Sequence, residues 1–339
     1  MTLYALDDIE DAIDATREFL WPIERGRWLR LAVVLFFTGG VGGFNPFQFS
    51  GSSTPSTPST PGPGPTPSPE LPSLGTPEVA IIAAIIAIIA LVFLGFLFVG
   101  SVMEFVFVQS LREEAVSIRQ YWREHWRKGL RLFGFRLALS VVTIGVVGGV
   151  LVAVFAPVFL GGEVAALGLL FLAVPVLVLV VILSGILDGF TTMFVVPVML
   201  LEARGVLASW RRFWPTVRRE WKQYLAYLFM SLVLALAGGI VTALATLVGA
   251  IAVGIPLAIV GLVGGALLGV VHVVGWVLIG LAVALFVVAL FVLTLLVAVP
   301  VQTFLRYYAL LVLGDTNEAF DVIPERRRAI RSDPSTADG

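Results

Sequence analysis

Long apolar runs and short charged clusters alternate along this chain, and the alternation predicts its architecture. The run VAIIAAIIAIIALVFLGFLFVG, which starts at Val79, contains no charged residue and is longer than the roughly 20 residues a helix needs to cross the hydrocarbon core of a bilayer. Comparable runs place helical spans at about residues 29–44, 78–108, 132–156, 167–199, 224–253 and 272–300. A further stretch, VGIPLAIVGLVGGALLG at 253–269, is equally apolar but interrupted by Pro256 and five glycines. It reads as a re-entrant or interfacial piece, or as a seventh span.

Charge separates those alternatives. All 22 lysines and arginines fall within residues 17–30, 112–136, 204–222 and 306–331, and the intervening stretches 45–77, 157–166 and 253–271 hold none. Basic segments flanking spans face the cytoplasm. Both termini are therefore expected inside, which requires an even number of crossings and favours six. The predicted fold class is an all-α polytopic transmembrane helix bundle in the cell membrane: a cytoplasmic amphipathic helix at 1–28, a six-span domain at 29–313, and a cytoplasmic tail at 314–339.

In the first segment Leu6, Ile9, Ile13, Phe19 and Leu20 recur at helical spacing opposite Asp7, Asp11, Asp14 and Glu18. This helix is expected on the membrane surface or against the bundle. Within the outer loop 45–77, the stretch GSSTPSTPSTPGPGPTPSPE at 51–70 has nothing apolar to bury and too many prolines for helix or sheet, so an extended, disordered spacer is expected, with a composition compatible with O-glycosylation.

The basic clusters have an internal design. SWRRFWPTVRREW, from Ser209 to Trp221, holds four arginines and three tryptophans. Leu207, Trp210, Trp214, Val217 and Trp221 fall three or four apart, with Arg211, Arg218 and Lys222 on another face, and Arg212 and Arg219 join Arg211 and Arg218 as candidates for lipid contact. Pro215 lacks an N–H, so two short helices with Pro215 opening the second are expected. Trp122 and Trp126 mark a similar belt in SIRQYWREHWRKGLR. Aromatic and basic side chains at this depth are expected to meet lipid, with anionic headgroups as partners. Aligning the two belts brings FVFVQSLREE beside FVVPVMLLEA, and AVPVQTFLRYYALLVL is a weaker echo; the pattern suggests three repeated helix pairs with amphipathic exits.

Composition adds exclusions. A mean hydropathy of +0.99 leaves no room for a large aqueous domain. Cysteine is absent, so thiol and Cys-ligated metal chemistry are excluded, and the net charge of −1 averages basic belts with acidic termini. The acidic, amphipathic start does not read as a secretory signal peptide.

The start ALDDIEDAIDATREFLWPIERGRWLRLAVVLFF, the exit FVVPVMLLEARGVLASWRRFW and the ending FLRYYALLVLG resemble a family of uncharacterised haloarchaeal membrane proteins. More remotely, the six-span plan with Pro197, Glu202 and the Ser209-Trp210 pair is similar to the membrane domain attached to some bacterial glycerophosphodiester phosphodiesterases. The resemblance covers nearly the whole chain and implies a fold and a membrane location. It implies no activity, because the catalytic barrel found beside the bacterial domain has no counterpart here.

Among candidate functional residues Asp188 stands out, about twelve residues inside the end of its span and hence roughly 18 Å deep at helical rise. It reads as a proton or cation relay, a substrate contact, or a buried acid bonded to a neighbouring helix. No basic residue lies within the spans except near their ends, so Asp188 is expected to stay neutral. Gly185 and Gly189 flank it at a spacing that admits a close helix. Glu104 and Arg136 lie near the inner ends of their spans and are expected to pair. His125 and His272 are isolated, and Gly261, Gly265 and Gly269 form either a packing series or a loose loop. No catalytic, phosphate-loop or metal motif is found, no cofactor is expected, and nucleic-acid binding is not. The leading expectation is a non-enzymatic scaffold, assembly or envelope component contacting lipid and other membrane proteins or itself; the alternatives are a transporter or permease component using Asp188 and a lipid-directed membrane enzyme.

Overall fold

The computed structural model describes residues 4–39, 76–159 and 163–332, and all of its regular structure there is helical. The Ser/Thr/Pro stretch 51–70 and the last part of the first expected span, 40–44, lie outside the described residues. Helix α1 is Tyr4–Leu20, α2 Arg25–Thr38, α3 Thr76–Arg112, α4 Ile118–Phe159 and α5 Glu163–Phe190. A single π-helical turn, Thr191–Val195, passes into α6, Val196–Glu202. Then follow α7 (Val206–Arg219), α8 (Trp221–Leu267), α9 (His272–Thr316), a 3₁₀ turn at Glu318–Phe320, and α10 (Pro324–Ser332).

Five helical segments are long and apolar enough to cross a membrane: Val79–Arg112, Ile118–Pro157, Gly168–Glu202, Trp221–Leu267 and His272–Thr316. This is a membrane-embedded helical protein. Six spans were expected; α2, the sixth candidate, has only 14 described residues and ends at Gly39 in the left-handed conformation. Several hydroxyls within the spans satisfy themselves: Ser101, Ser110, Thr242 and Thr294 each donate to the carbonyl four residues back at 2.7–2.8 Å, a bond that spares these four the cost of standing unpaired away from water.

The stretch 253–269 is neither re-entrant nor a separate span. It continues α8 through Pro256 to Leu267 and turns back over a few residues into α9. Gly264 makes this possible: a Cβ there would stand 3.0 Å from the Gly275 carbonyl oxygen, and one at Gly275 would stand 2.7 Å from that of Gly264. The close approach thus falls at Gly264, whereas Gly261, Gly265 and Gly269 have open space, as do Gly185 and Gly189 beside Asp188.

The helices neighbour one another in the order α8, α9, α2, α3, α4, α5, and α1 lies across α9 and α8. The core gathers at the charged end of this row, where Phe105, Phe194, Phe213, Tyr307 and Tyr308 are fully or almost fully buried, while Ile81–Val92 of α3 and most of α5 and α8 present apolar side chains outward. That distribution is the one a lipid environment allows, since outward leucine and isoleucine cost nothing against acyl chains.

Two local expectations are corrected. Helix α7 is unbroken at Pro215. The proline removes the bond to the Arg211 carbonyl, but both residues are exposed, so water can take that acceptor. In α1 the buried face is Asp8, Ala12, Ala15 and Phe19, and Ile13 is half exposed, one position off the expected stripe. Ion pairs to α10 turn it: Arg331 reaches Asp8 at 3.0 Å and Asp11 at 2.8 Å, and Arg326 reaches Glu18 at 2.9 Å and Glu114 at 3.0 Å.

Candidate functional site

The three intramembrane polar candidates, Asp188, Glu104 and Arg136, converge on one site with two residues the sequence did not single out, Thr192 and Arg306. Arg136 of α4 donates through Nε to Asp188 Oδ1 at 3.2 Å and through Nη2 to Thr192 Oγ1 at 2.7 Å, and lies 3.5 Å from Glu104 Oε1. Arg306 of α9 pairs with the other oxygen of Glu104 and donates to the Thr192 carbonyl at 2.7 Å. Its guanidinium also lies 5.4 Å from the Phe107 ring centroid. Two guanidinium groups and two carboxylates thus tie α3, α4, α5, the π-turn and α9 together with no net charge.

Burial makes the balance necessary. Glu104 is 2% exposed and Arg306 3%, and an unpaired charge in such surroundings would cost several kcal/mol. Asp188 is therefore not alone, as its depth alone suggested; Arg136 supplies its cation. The expected Glu104–Arg136 pair is present as one edge of a larger network.

The π-turn explains Thr192. Widening the helix by one residue displaces its backbone bonds, and such turns leave carbonyls free for other donors. Here the Thr192 carbonyl receives Arg306, while Thr191 Oγ1 accepts from Trp210 Nε1 at 3.0 Å and donates to the Leu187 carbonyl at 2.6 Å. The same turn plants Phe194 in an aromatic cluster, with ring centroids 4.8 Å from Tyr227, 5.2 Å from Tyr224 and 5.5 Å from Phe213. Only the threonine pair TT at 191–192, in an otherwise apolar exit, hinted at this in the sequence. A second polar contact, Thr143 to Ser184 at 2.8 Å, joins α4 to α5 two turns farther from the charged end.

The belt residues divide. Trp214 and Trp221 are about half exposed, Trp126 is 42% exposed, and Arg211, Arg218 and Arg219 face outward. Arg218 covers the Trp214 ring, Arg219 lies 3.5 Å from Glu220, and Arg212 bonds Glu202 at 3.3 Å and covers Phe320. Trp210 and Trp122 differ from the expectation of headgroup anchors: both are partly buried, Trp210 clamping Thr191 and Trp122 set edge-on against Phe98. On α7 the side chains that turn inward are Val206, Ser209 and Phe213, while Leu207, Trp214 and Trp221 of the expected apolar face stay outward. His125 is buried against Phe105 and bonded to the Tyr121 carbonyl, and His272 accepts from Trp276. Among the described residues no three His, Asp or Glu side chains converge as a metal site.

At the same end, Arg331 and Arg327 of α10 converge on Asp315, at 2.7 and 2.6 Å, and Arg331 also holds Asp8. Asp8 is fully buried, and burial, followed by the neighbouring Asp315 charge, pushes its carboxyl up to about 8. The Arg331 guanidinium is held above its ordinary range by its bond to Asp315.

These features define a membrane-embedded helical protein closed at one end by buried ion pairs. The chain belongs to the Family of unknown function (DUF7544), whose family model matches residues 3–323. No curated protein and no solved structure matches it. The family match agrees with the broader part of the resemblance drawn from the sequence, a family of unknown function that covers nearly the whole chain.

Proposed function

We propose that this protein is a non-enzymatic scaffold of the cell membrane, a six-span bundle with both termini in the cytoplasm, which contacts anionic lipid and other membrane proteins and neither converts nor moves a substrate. One observation carries the reading: Asp188 sits in a charge-balanced, hydrogen-bonded network with Arg136, Glu104, Thr192 and Arg306, the arrangement of a structural lock. A relay needs an acid that can lose and regain its proton and a path to it. Here the carboxylate has a fixed cation, and the surface hollows at Arg30, at Gly254 and at Arg17 are lined by none of these five residues.

The topology rests on charge and on the joined termini. Helices α1 and α10 share ion pairs, so both ends of the described chain lie on one side, and five crossings would separate them. Helix α2 with the residues after it is the remaining candidate for the sixth. The repeat reading gains support from the paired segments 105–114 and 194–203. Phe105 and Phe194 open them fully buried, and Glu114 and Ala203 close them, both with a φ of 53°, which is uncommon outside glycine.

Transport is the alternative, and the Thr143–Ser184 contact along the α4–α5 seam is the observation in its favour. Liposomes holding the purified protein, an internal pH dye and an imposed pH or cation gradient distinguish the two. The scaffold reading expects leakage equal to protein-free liposomes and a loss of thermal stability in Asp188→Asn. Flux through the wild type that a folded Asp188→Asn abolishes would overturn it.

A further inference from the structure

Between α1, the Trp21–Trp28 turn and the α8–α9 hairpin lies a groove of about 780 Å³. Its walls are apolar: Leu20 and Trp28 on one side, Val241 of α8 and Pro300 and Phe304 of α9 on the other. The floor is lowered by Gly238, where a Cβ would meet Val301 Cγ1 at 2.5 Å, so the two long helices touch and leave a trough along their seam. Because α8 and α9 are membrane spans, the trough opens sideways to hydrocarbon. A single charged side chain lines it, Arg17, at the end where α1 crosses.

Arg17 differs from three of the four arginines of α10. Arg326, Arg327 and Arg331 are each held by carboxylates, and Glu18 beside Arg17 is already taken by Arg326. The Arg17 side chain is exposed and makes no ion pair or hydrogen bond among the described residues. Next to it Trp21 and Ile23 are 67% and 58% exposed, as interface-seeking side chains at a membrane boundary are. An apolar trough facing acyl chains, capped at the charged end of the bundle by one unpaired guanidinium, is complementary to an amphiphile with an apolar tail and a negative head. The volume lies within the range of small-molecule sites.

We infer that this groove is a binding site for one anionic membrane lipid, its acyl chain along the α8–α9 seam and its phosphate at Arg17. The inference rests on the reading of the protein as a lipid-contacting scaffold and makes it specific: one retained lipid, seated by α1 and separate from the tryptophan belts.

The test uses the full chain, purified in mild detergent with extensive washing. Native mass spectrometry counts retained lipid, and melting temperatures are compared after adding phosphatidylglycerol or phosphatidylcholine. The wild type is expected to keep one anionic lipid and to gain more thermal stability from phosphatidylglycerol. Arg17→Gln, at an exposed position whose side chain has no polar partner among the described residues, is expected to fold and to lose that preference, with roughly fivefold weaker apparent affinity for phosphatidylglycerol. Ala237→Trp, which fills the trough from an exposed position on α8, is expected to lose retention of both lipids. If Ala237→Trp does not fold, Arg17→Gln decides: an unchanged preference for phosphatidylglycerol overturns the site. A retained lipid in both variants overturns it as well. Replacing Arg211, Arg212, Arg218 and Arg219 together by glutamine probes the belts separately. It is expected to shed loosely held lipid and spare the retained one; loss of the retained lipid there, with retention in Ala237→Trp, would sink the groove and leave the lipid-contacting scaffold standing.

Discussion

Glu104 and Arg306 show how a bilayer protein tolerates charge so far inside its core. Each is almost wholly buried, and each satisfies the other, with the Thr192 carbonyl and Arg136 completing the set. Removing one member leaves a buried charge without a partner, so Arg306→Leu is expected to destabilise the purified protein by about 3–5 kcal/mol. Glu104→Leu combined with Arg306→Leu removes one charge of each sign and leaves Arg136 with Asp188. The double variant is therefore expected to unfold at a higher denaturant concentration than either single one, and additive losses would show that the pair does not act as a unit. Asp8 gives a prediction in pH. Its carboxyl titrates at about 8 in the folded chain and near 3.8 when unfolded, so between those values the folded state holds a proton that the unfolded state has released. Its contribution is fully present below pH 3.8 and falls as pH rises toward 8, by up to about 1.4 kcal/mol per unit. Melting between pH 6 and 9 is expected to decline in the wild type and to flatten in Asp8→Asn; parallel curves would place the titrating group elsewhere. Glu104 and Arg136 were legible in the sequence as ionisable residues near span ends, and Asp188 as one deep inside its span. Arg306 was not, because in FLRYYALLVL it looks like one more basic exit, and only packing turns it inward.

At the scale of elements, apolar run length fixed five spans well and misjudged how they end. Pro256 and the surrounding glycines looked like a break, yet a lipid-embedded helix has no competing water for its backbone bonds, so α8 continues through them for 47 residues. The glycine series was read one face away from the real contact, because apolar sequence carries no mark of which side meets a neighbour. Gly264 and Gly261 test this directly. Gly264→Leu would drive a side chain into the Gly275 backbone and the Leu278 and Ile279 side chains, whereas Gly261→Leu points into open space. The first is expected to lower the melting temperature by several degrees and to raise protease sensitivity at the 268–271 turn, and the second to leave both unchanged. The π-turn was out of reach for a different reason: nothing in TTMFV announces an extra residue per turn, and its stability comes from Arg306 and Trp210 arriving from two other elements and from its own Phe194 packing against Phe213, Tyr224 and Tyr227.

For the molecule as a whole, the ends of the chain and the tip of the α8–α9 hairpin are the informative landmarks. Ion pairs from Arg331 and Arg326 to Asp8, Asp11 and Glu18 put both ends together, beside the basic belts. The hairpin tip at 268–271 lies about 60–70 Å along α8 from Trp221, at 1.5 Å per residue, about twice the roughly 30 Å of a hydrocarbon core. A helix that long must tilt or stand beyond the bilayer, but in either case its tip and its base cannot be on the same side. Single cysteines in this cysteine-free chain read the consequence. Ser332→Cys and Arg211→Cys sit at exposed positions of the charged end, His272→Cys at an exposed position of the tip, and Glu163→Cys at the start of α5. An impermeant thiol reagent added to intact cells is expected to label His272→Cys and Glu163→Cys, and to reach Ser332→Cys and Arg211→Cys only after the membrane is opened. Reversal of both sets would keep the fold and invert its orientation. Labelling of Ser332→Cys together with His272→Cys from outside would place tip and terminus on one side, a result that a membrane-crossing α9 could not accommodate.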